Sequence, residues 1–102
     1  MPIYMNITKS TAKNKKFTAV FSHYKDGKKV KIKTTQFGDS RYEDYTIHKD
    51  KERRSKYRSR HKGNLSKGTY MSPSHLSYYL LWGESVALNT NISNYKKRFK
   101  LK

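Results

Sequence analysis

Cysteine is absent from the 102 residues, proline occurs twice and glycine five times. Without cysteine there is no disulfide scaffold, no zinc ribbon and no thiol nucleophile. A secreted domain this small commonly needs such staples, so an intracellular or particle-enclosed setting is expected. Acidic residues are also scarce: seven Asp and Glu stand against 24 Lys and Arg, a formal charge of +17. Leu, Ile, Val and Phe together number only 18, a share close to that of disordered chains. No apolar run approaches the roughly 20 residues of a bilayer crossing. The start MPIYMNITKS has no charged stretch followed by an apolar one, so no secretory signal is expected, and Pro2 stands where myristoylation needs glycine. A chain of this length makes one small domain, here taken as residues 1–102.

What is present is basic and aromatic. Nine Tyr, four Phe and one Trp supply the apolar area that the aliphatic residues do not. Residues 3–8 alternate, with Ile3, Met5 and Ile7 on one side, and predict a short strand. Asp26-Gly27 sits between two alternating segments, 16–24 and 28–37, a strong signal for a two-residue hairpin turn. If Lys25 faces Lys28, then His23 faces Val30 and Phe21 faces Ile32. One face then carries Phe17, Ala19, Phe21, His23, Val30, Ile32 and Thr34, and the other sets Lys29, Lys31 and Lys33 beside Tyr24. Residues 36–44 read as a linker.

From Asp50 the run DKERRSKYRSRHK predicts a basic helix, with Asp50 as N-cap and Gly63 at the left-handed C-terminal position. Residues 63–71 form a loop. Ser72-Pro73 opens a second helix, with Leu76, Tyr79 and Leu80 inward and Gly83 at its end. A third helix is expected from about Val86 to Phe99, with a stripe of Leu88, Ile92, Tyr95 and Phe99. The expected fold is α+β: an N-terminal three-stranded antiparallel meander over residues 1–37, then two or three short helices over 45–99.

The basic residues fall in four blocks: the first loop, the hairpin, the basic helix and the C-terminus. Self-repulsion of this size calls for an anionic partner. The candidate polyanion-binding residues are Lys29, Lys31 and Lys33 on the hairpin, Arg53, Arg54, Arg58 and Arg60 on the helix, and Lys96, Lys97 and Arg98 near the end. Tyr57 is a candidate for stacking on a base, but as the only large apolar group of its helix it is read first as an anchor into the core. His23, His48, His61 and His75 match no zinc spacing, so no metal is expected. Asp50 and Glu52 near His48 are better read as a cap and a first-turn acid than as a nuclease site. No nucleophile, phosphate loop, cofactor motif or small-molecule site stands out, so no enzyme and no cofactor are expected.

The segments KKVKIKTTQFG, YEDYTIHKDKERRSKYRSRHK, LSYYLLWGES and NISNYKKRF, in that order, resemble a small basic family of uncharacterised proteins of giant nucleocytoplasmic DNA viruses and some large phages. The resemblance covers residues 28–99, with residues 1–27 outside it. It implies a viral protein and no particular activity. The expectation is a non-enzymatic virion structural protein, a minor capsid or core component. It would lie in the virion, or in the host cytoplasm or viral factory during assembly. Its partners would be capsid or core proteins, nucleic acid or an anionic membrane surface. The alternative is a sequence-nonspecific nucleic-acid-binding protein that neutralises or coats viral DNA or RNA. Lys-rich ends should fray in a free chain, so the structural reading expects the terminal segments to be held by neighbouring chains.

Overall fold

The computed structural model describes residues 2–102. Three antiparallel strands, β1 (Tyr4–Lys9), β2 (Lys15–Lys25) and β3 (Lys28–Asp39), form a sheet in the order β1-β2-β3. Four short helices follow: α1 (Tyr45–His48), α2 (Lys51–His61), α3 (Pro73–Leu76) and α4 (Leu88–Arg98). A 3-10 stretch, Lys62–Lys67, continues α2, and a wide π-type turn, Ser77–Leu81, continues α3. The fold is therefore α+β, a meander followed by helices.

The hairpin turn is where the sequence puts it. Asp26 and Gly27 both have positive φ, 53° and 78°, the pair of left-handed positions that a type I′ turn requires. Near the turn the expected register holds, with Lys25 opposite Lys28 and His23 opposite Val30. Between Phe21 and Ser22 the register shifts: Ser22 faces Lys31, Phe21 faces Lys33, and Ile32 has no partner of its own. That single extra residue moves the rest of β3 to the opposite face. Thr35 and Phe37 are buried in place of the expected Ile32 and Thr34, while Val30 and Ile32 stay 39% and 41% exposed. The expected grouping of Lys29, Lys31 and Lys33 on one side is corrected by the same shift, since Lys33 now pairs across from a core residue.

Met5, Ala19, Phe21 and Phe37 on the sheet meet Leu76, Leu80, Leu81, Tyr95 and Leu101 from the second half of the chain. Residues 36–39 belong to β3, so the expected linker is shorter by that much. Gly63 lies inside the 3-10 stretch and has no positive φ, so it is not the expected left-handed cap; the α2 backbone simply tightens into that stretch. The C-terminus closes on the N-terminal strand. Ile3 and Leu101 form a parallel bridge, the Lys102 N–H donates to the Ile3 carbonyl at 2.8 Å, and the Met5 N–H donates to the Lys102 carbonyl at 2.9 Å. The two ends thus hold each other, so their order in the fold does not by itself require neighbouring chains.

Candidate nucleic-acid interface

Helix α2 starts where Asp50 accepts hydrogen bonds from the Glu52 and Arg53 N–H groups, satisfying two of the helix's free donors. None of its residues is fully buried, and its attachment is aromatic and cationic. The Tyr57 ring lies 4.2 Å from the Trp82 ring at an interplanar angle of 7°, and the His61 ring covers Tyr57 at 4.1 Å. With a ring stacked at each of these two contacts, Tyr57 anchors the helix and offers no free platform for a base. Burial accordingly pushes its phenol above the ordinary range. The stack continues from Trp82 to His48 at 5.1 Å. His48 Nδ1 accepts the Asp50 N–H at 2.9 Å, while its Nε2 is buried without a partner among the described residues.

The arginines of α2 divide between its two faces. Arg54 Nε donates to the Gly83 carbonyl at 2.6 Å. Arg58 donates to the Trp82 carbonyl at 2.7 Å and lies 4.0 Å over the Tyr78 ring. These carbonyls end the turn that follows α3, where unpaired acceptors and the helix dipole favour a cation. Burial lowers the Arg58 pKa from its ordinary value. Both residues therefore serve the fold, which corrects the expectation that all four arginines face an anion. Spacing carried the signal: residues 54, 57, 58 and 61 share one helical face, and 53, 56 and 60 another.

The outer row of Arg53, Lys56 and Arg60 lines a hollow of about 630 Å³ with Lys16, Tyr42 and Asp39. Glu43 is 3.9 Å from Arg53, and Glu52 is 3.3 Å from Lys56. Asp44, almost fully buried, caps α1 through the Thr46 N–H and pairs with Lys16 at 2.5 Å. Two hydrogen bonds from the Arg41 side chain pull the Asp39 carboxyl down to about 2. A second hollow of about 430 Å³ gathers Arg58, Lys97 and Arg98 from the expected set, and Arg98 lies 4.8 Å over the Tyr79 ring. Lys96 is half-buried, and its carbonyl accepts the Leu101 N–H at 2.8 Å.

The hairpin lysines line neither hollow. Residues 24–34 are all exposed. Lys25, Lys28, Lys29, Lys31 and Lys33 hold no carboxylate among the described residues, whereas four basic side chains elsewhere do. Composition alone could not show that five of the seven acids gather between Asp39 and Glu52, beside α1 and the start of α2, while the hairpin carries Asp26 at its turn and five lysines without a carboxylate partner among the described residues. His75 is buried with Nδ1 3.1 Å from the Ser72 hydroxyl, and burial lowers its pKa. No group of three or more His, Asp or Glu is placed to hold a metal among the described residues.

No curated protein and no solved structure matches the chain. A family model described as a family of unknown function, DUF5754, matches residues 5–61, from β1 to the end of α2. It takes in the first two strands, which the resemblance to viral proteins leaves outside, and it stops before α3 and α4. Because the match spans more than half of the chain, the protein belongs to the DUF5754 family.

Proposed function

We propose that this protein is a non-enzymatic, sequence-nonspecific nucleic-acid-binding domain. The observation that carries the reading is the unbalanced charge. Of 24 basic side chains, four hold carboxylates and Arg54 and Arg58 hold backbone carbonyls among the described residues; most of the others face solvent. Phosphate backbones supply dense negative charge without requiring any particular base. Arg53, Lys56 and Arg60, the hairpin lysines, and Lys97 with Arg98 are the proposed contacts.

What supports a viral setting is the resemblance of residues 28–99, and in that setting the ligand would be packaged or replicating genome. The expected role as a structural virion component drew part of its support from ends held by neighbouring chains. Here the ends hold each other through Ile3, Leu101 and Lys102, so nucleic-acid binding is favoured.

Titration of DNA by fluorescence anisotropy at increasing salt tests the reading. If five phosphates are contacted, the logarithm of affinity falls with the logarithm of salt at a slope of about −4 to −5. An affinity that does not change between about 50 and 200 mM salt overturns it.

A further inference from the structure

Past Ser22 the sheet narrows to two strands. β1 pairs with β2 only from Phe17 to Ser22, so His23–Lys25 and Lys28–Val30 extend beyond it as a ribbon joined by Asp26-Gly27, with Lys31 opposite Ser22 at its base. At about 3.4 Å per residue the paired part reaches about 7–10 Å, before the turn is added. Its base is braced by Tyr4, whose ring meets the Tyr24 ring edge-on at 5.3 Å. The pairing puts cations on both faces: Lys25 and Lys28 share one with His23 and Val30, and Lys29 and Lys31 share the other with Tyr24. A ribbon meant to lie flat on an acidic surface would need lysines on one face only. Lysines on both faces suit a slot whose two walls are anionic.

The groove of a nucleic-acid duplex is such a slot. We propose that the ribbon is an arm that enters the major groove of duplex DNA, an assignment that rests on the nucleic-acid reading above. The major groove of B-form DNA is about 12 Å wide and about 8.5 Å deep and admits a two-stranded ribbon. Strands about 4.8 Å apart fit that width, with lysines on both faces within reach of the phosphates that border it. The extra residue at Ile32 increases the right-handed twist of the ribbon where it leaves the sheet. Val30, on the ribbon and exposed although apolar, is then available to the methyl groups that thymine presents in that groove. The A-form groove of duplex RNA is deep and too narrow for the arm, so the arm separates DNA from RNA where simple charge attraction does not.

The test compares the full chain on a short DNA duplex and an RNA duplex of the same sequence at one low salt concentration. Dimethyl sulfate probing reports guanine N7, which lies in the major groove, and adenine N3, which lies in the minor groove. The expected result is DNA binding about tenfold tighter than RNA binding, with guanine N7 protected. Val30→Ser, at an exposed position, should reduce that preference toward unity and leave RNA affinity unchanged. Lys28→Gln, Lys29→Gln and Lys31→Gln together should weaken DNA binding more than RNA binding. Equal affinity for the two duplexes with N7 open, or protection of adenine N3 instead, overturns the arm while the polyanion reading stands. Failure to bind either duplex overturns both.

Discussion

Asn91 sits where the apolar stripe of α4 turns toward the loop after Trp82. It is 1% exposed and satisfies itself there: Oδ1 accepts the Ser85 N–H at 3.0 Å, and Nδ2 donates to the Leu80 and Ser85 carbonyls at 2.9 and 2.7 Å. Next to it, Gly83 leaves no room for a side chain, since a Cβ would meet the Tyr79 carbonyl oxygen at 2.1 Å and the Asn91 amide at 2.9 Å. The Gly83 carbonyl in turn receives Arg54, so one asparagine and one glycine set the surface on which α2 is latched. Asn91→Ala removes three hydrogen bonds and leaves buried partners unpaired, at a cost of about 2–4 kcal/mol. Thermal unfolding followed by circular dichroism should show a fall of about 10 °C or more. An unchanged melting temperature would mean that water replaces the amide without loss and that the loop does not depend on it.

At the scale of the element, α2 carries two sets of cations with different work, and substitution separates them. Arg54→Gln with Arg58→Gln breaks charged hydrogen bonds to three carbonyls and should cost about 2–5 kcal/mol of stability. Arg53→Gln, Lys56→Gln and Arg60→Gln should leave the melting temperature unchanged, weaken DNA binding and flatten the salt slope by about 2–3. The reverse pattern, with the first pair neutral to folding and decisive for binding, would return Arg54 and Arg58 to the interface. Much of α2 was legible in the sequence: Asp50 as its cap, Tyr57 as its anchor and the helical span itself follow from local chemistry. The partners of Arg54 and Arg58 were not, because carbonyls at the end of a distant turn leave no mark in the sequence. The hairpin shows the same limit. Asp26-Gly27 fixes the pairs nearest the turn, but the extra residue at Ile32 depends on burying Thr35 and Phe37 against the helices. Alternation alone favoured Ile32 and Val30, which are more apolar than Thr35, and tertiary packing overrode that preference. Leu101, a lone apolar residue among lysines, gave no sign that it would reach β1.

At the scale of the whole molecule, charge and fold are divided unequally along the chain. Residues 1–67 hold 19 of the 24 basic residues and include the whole segment shared with the DUF5754 family. The residues that cover the sheet, Leu76, Leu80, Leu81, Tyr95 and Leu101, all come later. A three-stranded sheet with Met5, Ala19, Phe21 and Phe37 uncovered lacks the packing partner that such a small sheet needs. The like charges concentrated in that stretch also oppose compaction. A fragment ending at Lys67 should therefore show no cooperative unfolding transition, yet it should still bind DNA with a steep salt dependence, because counterion release requires the charges and not the fold. It should lose any preference for duplex DNA over duplex RNA, since a preference read through groove shape requires a formed ribbon. Circular dichroism and the two-duplex titration on the same fragment measure both properties. A fragment that melts cooperatively would place the core within the shared segment and reduce α3 and α4 to an addition. An unfolded fragment that still discriminates DNA from RNA would take the preference away from the arm's shape and assign it to the chain's charge alone.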